Sequence, residues 1–249
     1  MLIGCRSFAA EVTQRLGTDP ARFTIVPGAV DTSRFRPTSL PRGGTRLLCH
    51  GRVDRRKGVL DLLEAMPAIR RAVPGTTLVV SGVGPDLAEA RARAERPDLA
   101  GPVTFTGYVA YDQVPHVYAG ADVFVSPTYA EGFSNTILEA MACGVPVVAT
   151  RSVGVVDCIR DGENGLLVDV GDIPALAQAC TLALLDRRCA ARLRHTALTD
   201  ARERYAWPVV AEGVLDAYEH ARVRRPAAPW RLDTPVDPGC RFRAAPSLL

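Results

Sequence analysis

Glu131 and Glu139 stand eight residues apart, joined by Gly132-Phe133-Ser134-Asn135-Thr136-Ile137-Leu138. Ser134 is a favourable helix N-cap, and Ile137, Leu138 and Met141 fall on one helical face, which predicts a helix that begins here. Glu139 then lies within an apolar helix, where an ionised carboxylate is costly unless a polar group meets it. Glu131 lies on the loop feeding the helix, whose first N–H groups lack intrahelical acceptors and favour an anion. Two acids beside such a helix start suit a ligand that carries both hydroxyls and phosphate. A second constellation is Gly51-Arg52-Val53-Asp54-Arg55-Arg56-Lys57-Gly58, in which Lys57 is the one Lys among 30 basic residues. A chain that has drifted so far toward Arg and keeps one Lys points to a position that needs a compact ammonium rather than a planar fork.

The elements that position these residues alternate. Val123 to Val125 is a short apolar run of the buried parallel kind, closed by Ser126-Pro127-Thr128. The helix from Ser134 stops at Gly144 and Pro146, and Val145 to Ala149 forms the next strand. Upstream, strands are expected at Leu47 to His50, Thr77 to Val80 and Val103 to Thr106. Helices fall between them: one with Leu60, Leu63 and Met66 on a face and Pro67 as a kink, a charged surface helix from Asp86 to Arg96, and a short one from Asp112 to Ala119. Downstream come Ser152 to Ile159, a strand at Leu166 to Val168, and helices at 173–185 and 187–205. Alternation of this kind gives a parallel sheet with helices on both faces, whose ligands bind outside the carboxyl ends of the strands. Gly51-Arg52, Gly82-Val83-Gly84, Gly107-Tyr108-Val109 and Glu131 to Asn135 all fall on those ends, so four loops are expected to converge on one crevice. Residues 1–23 read as a helix with Phe8, Val12 and Leu16 on one face, ended by Gly17. Phe23 to Val26 follows as a strand, and a last helix with Val210, Val214, Ala217 and Ala221 on one face opens at Trp207-Pro208.

Composition narrows the function classes. The chain has 249 residues, 47% of them hydrophobic, and no apolar run approaches the roughly 20 residues of a membrane span. No signal peptide is read at its start. The seven cysteines (Cys5, Cys49, Cys143, Cys158, Cys180, Cys189 and Cys240) are odd in number and form no Cys-x-x-Cys pair, which favours reduced thiols in a cytosol over a zinc site. Of the net charge of +3, residues 222–249 carry six Arg against Asp233 and Asp237, so the folded part is close to neutral. A nucleic-acid-binding domain would carry its basic residues as a stripe on the folded part. Gly82-Val83-Gly84 lacks a third Gly, with Leu87 in its place, and no acidic residue follows at the spacing of a ribose contact, so an NAD-dependent oxidoreductase is disfavoured. It is read as a tight turn lining the crevice. His50 and His116 are lone histidines and read as structural.

The stretch from Glu131 to Ala142 resembles the Glu-x7-Glu signature of retaining, nucleotide-sugar-dependent glycosyltransferases of family 4, the group 1 transferases of GT-B fold. The resemblance implies an α/β fold, a Rossmann-like parallel sheet with helices on both faces, that is the C-terminal domain of a GT-B enzyme whose N-terminal domain is largely absent. It divides the chain into a remnant of the N-terminal domain and linker at 1–41, a nucleotide-sugar-binding domain at 42–206, a crossover helix at 207–222 and a disordered tail at 223–249. Pro41-Arg42-Gly43-Gly44, at the boundary between the two, reads as a flexible connector. Arg52 and Lys57 match the family's diphosphate-binding pair, and Glu131 the group that contacts sugar hydroxyls, so these three are the expected catalytic residues. Glu139 is carried over as the ligand of the ribose hydroxyls. Gly132, Phe133, Ser134 and Asn135 would offer backbone N–H groups to phosphate and sugar, Gly82 and Gly84 would line the crevice, and Gly107, Tyr108 and Val109 would border the base. The expected activity is hexosyl transfer from a nucleotide-diphosphate sugar with retention, without metal or cofactor, in the cytoplasm or at the inner membrane face. The alternative is a non-catalytic nucleotide-sugar-binding or scaffolding subunit. Its partner would be a separate N-terminal-domain protein or a second copy of the chain, docked through the helices at residues 8–16 and 208–221. The acceptor is not legible.

Overall fold

The computed structural model describes residues 2–38, 44–99 and 101–223. The connector at Pro41 to Gly43 and the expected tail beyond Val223 lie outside them. The chain opens with strand β1 (Leu2–Ile3), helix α1 (Arg6–Leu16), a single 3-10 turn at Pro20–Arg22 and strand β2 (Thr24–Ile25), which pairs in parallel with β1. The helix expected over residues 1–23 is therefore shorter. Leu2 and Ile3 are drawn into the pairing with Thr24 and Ile25, and Gly17 ends the helix with its N–H on the Thr13 carbonyl. Its buried residue is Ala9, whereas Leu16, placed on the packing face by sequence, is exposed.

From Arg46 the chain builds β3 (Arg46–His50), α2 (Val59–Ala72), β4 (Thr77–Ser81), α3 (Leu87–Ala94), β5 (Val103–Gly107), α4 (Val114–Ala119) and β6 (Val123–Ser126). It continues through α5 (Asn135–Ala142), β7 (Val147–Thr150), α6 (Val155–Cys158), β8 (Leu166–Val168), α7 (Ile173–Leu185), α8 (Arg187–Glu203) and α9 (Trp207–Val223). Strands β3 to β8 form one parallel sheet in the order β5-β4-β3-β6-β7-β8. The order runs outward one way from β3 and the other way from β6, so it reverses between them, and in doubly wound sheets ligands bind at that point.

Side chains alternate between the two faces, as the pleat requires. Leu47, Val123, Val125 and Val148 join the layer of α2, α3 and α7, while Leu48, Phe124, Val147 and Ala149 join that of α4, α5 and α8. Pro67 lies inside α2 without ending it. Helix α3 is less superficial than its charges suggest, because Arg93 is buried against Glu64 and Asp98. Strand β7 begins two residues later than expected. Val145 instead gives its N–H to the Ala140 carbonyl and finishes the turn after α5. Among the described residues no helix is long and apolar enough to cross a membrane.

Candidate active site

Three loops meet where the strand order reverses. The loop after β3 runs through Gly51 into a 3-10 turn at Arg55–Lys57, the loop after β4 holds Gly82 to Gly84, and the loop after β6 runs from Pro127 to Ser134. Gly51 N–H donates to the Ser81 carbonyl at 2.9 Å and Val53 N–H to the Val83 carbonyl at 3.0 Å. Gly82 has φ 139°, and a Cβ there would overlap the Gly51 carbonyl oxygen. Gly82→Ala therefore combines a left-handed strain with a backbone clash. At about 1–3 kcal/mol for the strain alone, the melting temperature of a chain this size should fall by at least about 2 °C, read by circular dichroism.

On the other side the β3 loop is locked to the β6 loop. Tyr129 N–H and Thr128 Oγ1 both donate to the Arg56 carbonyl, at 2.7 and 2.9 Å. Gly58, at φ 67°, sits so close to Pro127 that a side chain there would strike its carbonyl. This seam carries the central contact of the site, an ion pair between Lys57 Nζ and Glu131 Oε1. Only 13% of the Glu131 side chain is exposed, against 28% for Lys57. The two residues singled out for opposite charges on separate loops, 74 positions apart, thus touch across the crevice. Arg52 lies on the same loop with 62% of its side chain exposed, held by Asp54.

Helix α5 starts at Asn135, where sequence placed it, with Ser134 at the N-cap position. The Ser134 side chain makes no cap bond and lies instead 3.2 Å from the Thr136 hydroxyl. The Ser134 hydroxyl therefore does not satisfy the first-turn N–H groups of α5. Phe133 does not face the crevice as a free ring: it stacks tilted on Tyr205 at 5.8 Å and packs against Gly28. Gly132 is anchored from behind, its carbonyl accepting from the Cys5 thiol at 2.9 Å.

Glu139 has the partner that its position demands. Ile137, Leu138, Ala140 and Met141 are fully buried around it, and burial contributes roughly 1.5–3 kcal/mol per large apolar side chain. The helix cannot easily rotate Glu139 into water. Tyr118, from α4, places its hydroxyl 2.9 Å from Glu139 Oε2 and 3.0 Å from the Thr136 carbonyl, so its one hydrogen is shared between the two acceptors. Burial raises the Glu139 carboxyl from 4.5 to about 7, and the Tyr118 hydrogen bond opposes that rise. His50, close by, shares a hydrogen bond of 3.0 Å with Ser81 and packs edge-on against Tyr118; burial lowers its pKa.

The fourth loop joins less closely. Gly82 N–H donates to the Gly107 carbonyl at 2.8 Å, and Val109 packs against the core. Tyr108 is 76% exposed. Two residues that sequence reasoning passed over lie nearer Glu139. Tyr118 is one; the other is Tyr111, whose hydroxyl feels the Glu139 charge and whose ring takes the Arg34 guanidinium at 5.0 Å.

A parallel sheet of this order, with helices on both faces and cationic loops at its reversal point, defines a Rossmann-like α/β protein. Sucrose-phosphate synthase from Thermosynechococcus elongatus shares the fold at a TM-score of 0.80 and 27% identity, over 89% of this chain and 58% of that one. Residues 44–186 match the family described as glycosyl transferases group 1, and the chain belongs to that family. It is 35% identical over 213 residues to the GDP-mannose-dependent alpha-(1-6)-phosphatidylinositol monomannoside mannosyltransferase of Mycobacterium tuberculosis H37Rv, covering 79% of this chain and 55% of the relative. It is likewise 35% identical over 248 residues to the D-inositol 3-phosphate glycosyltransferase of Acidothermus cellulolyticus, covering 92% of this chain and 55% of the relative. The chain spans about half the length of these relatives.

Proposed function

We propose that this chain supplies the donor-binding half of a retaining glycosyltransferase that moves a hexosyl group from a nucleotide-diphosphate sugar to an acceptor held by another domain. The observation that carries this reading is the Lys57–Glu131 pair, which joins the loops after β3 and β6 at the reversal of strand order. It sets a phosphate-binding cation beside a carboxylate able to accept from sugar hydroxyls. As the bond to the sugar breaks, the leaving diphosphate gains charge, and cations already in place stabilise it without reorganisation. Lys57, the Arg52 fork and the first N–H groups of α5 supply that charge, so the reaction calls for no metal or cofactor. Glu139 takes the ribose hydroxyls, and Gly107, Tyr108 and Val109 border the base.

Residues 42–206 form the donor-binding domain in this reading, and residues 1–41 belong with the acceptor side. Retention rests on the family. A cytosolic setting is read from the cysteine pattern, odd in number and with no Cys-x-x-Cys pair. The GDP-mannose dependence of the mycobacterial relative makes guanosine diphosphate the first nucleotide to try. Calorimetric titration with guanosine, uridine and adenosine diphosphates should give one ligand with a dissociation constant between about 1 μM and 1 mM, lost in the Arg52→Ala, Lys57→Ala double variant. No heat with any nucleotide would remove the proposal.

A further inference from the structure

We propose that Asp54 is a positioning residue that holds both cations of the diphosphate site at once. The inference rests on the donor-site reading above. Asp54 is only 6% exposed, although it lies on the crevice loop between Arg52 and Lys57. Both of its carboxylate oxygens are engaged. Oδ1 accepts the backbone N–H of Lys57 at 3.0 Å and so caps the 3-10 turn that presents the Lys57 side chain. Oδ2 meets Arg52 Nε at 3.0 Å and Arg56 Nη2 at 3.8 Å.

The Arg52 contact is made through Nε, the inner edge of the guanidinium. The outer edge, with its two terminal nitrogens, stays free to grip two oxygens of a diphosphate. Without that anchor Arg52 is a long and largely exposed side chain that would sample many rotamers. One carboxylate thus fixes the fork by its side chain and the ammonium by its backbone.

The bland alternatives predict different signs. If Asp54 only caps the turn, Asn or Ser, which also cap, should serve equally and binding should not change. If it is a bystander charge beside an anion site, removing it should tighten diphosphate binding through lost repulsion. Positioning alone predicts that neutralising Asp54 weakens binding of an anion.

The test is a double-mutant cycle on the whole chain, read by calorimetry with the nucleoside diphosphate that binds the wild type. Asp54→Asn should weaken binding by about 5- to 20-fold and have little effect once Arg52→Ala is present. Its melting temperature should stay at the wild-type value, since the cap is kept. Asp54→Ser provides a second variant should Asp54→Asn fail to fold. Unchanged or tighter binding in the folded variant overturns the proposal, as does an equal loss with and without Arg52. Failure of the donor-site reading looks different, because Arg52→Ala by itself would then leave diphosphate binding untouched, and Asp54 would have nothing to position.

Discussion

Lys57→Ala is expected to weaken nucleoside-diphosphate binding by about 10- to 100-fold, the equivalent of one charge-assisted hydrogen bond of about 1.5–3 kcal/mol. Two effects add. The ammonium that meets the phosphate is gone, and Glu131, its partner across the seam, becomes an uncompensated anion in a site built for an anionic ligand. Lys57→Arg should not restore binding. A guanidinium is wider, and the loop cannot retreat to admit it, because Gly58 is already pressed against the Pro127 carbonyl and the Arg56 carbonyl is tied to Thr128 and Tyr129. The same geometry predicts opposite signs for Glu131→Gln. With Lys57 released from its pair, a nucleoside diphosphate should bind more tightly, while the intact nucleotide sugar loses its hydroxyl acceptor and binds more weakly. Calorimetry with both ligands on the three variants reads this directly. Wild-type affinity in Lys57→Arg, or parallel changes for the two ligands in Glu131→Gln, would contradict the assigned roles.

Much of the crevice was legible before any coordinates, because its signals are local. Val123 to Val125 is a short apolar run between turn residues, and the structure makes it a central strand. Lys57 stood out by being the one Lys in an Arg-rich chain. The apolar neighbours of Glu139 announced a buried acid that needs a partner. The partner itself was hidden, since Tyr118 comes from α4, 21 positions earlier, and only the packing of α4 on α5 brings its hydroxyl to the carboxylate. The Lys57–Glu131 contact was hidden for the same reason. Asp54 carries a local signal too, since an Asp three residues before Lys57 is a capping residue in its own right, but its contact with Arg52 is set by side-chain geometry that the sequence does not print. The opening segment was misread because a two-residue strand leaves no periodicity. Leu2 and Ile3 become a strand only by meeting Thr24 and Ile25. Ser7 and Asp157, whose side chains join α1 to α6 with Ser7 Oγ also receiving Gly154 N–H at 2.9 Å, likewise carry no pattern along the chain.

Binding of the nucleotide sugar is expected to tighten with pH, by up to about 100-fold between about pH 5 and pH 7, and then to level off. Burial raises the Glu139 carboxyl from 4.5 to about 7, so without ligand it is largely protonated below that point. Ribose hydroxyls that donate to it favour the ionised form. The proton must leave on binding, which costs about tenfold in affinity for each pH unit below 7. A nucleotide sugar is the right probe, because its doubly esterified phosphates lack the ionisation near about pH 6 of a terminal phosphate. Glu139→Gln should bind weakly with a flat profile. Tyr118→Phe removes the hydrogen bond that favours the carboxylate and should shift the midpoint above that of the wild type. Linkage fixes the sign for folding as well. Between 4.5 and about 7 the folded chain holds a proton that the unfolded chain has lost, so this group's contribution to stability is full below the lower value and lost as pH rises through the upper one. The carboxyl therefore works against folding at the pH where it serves the ligand best, on the order of 3 kcal/mol at 1.4 kcal/mol per unit. Ligand should recover part of that in the melting temperature at about pH 8, and less of it at about pH 5. Titrations in two buffers of different ionisation heat would reveal the released proton. An unchanged heat, together with a flat affinity profile in the wild type, would show that Glu139 does not take the ribose.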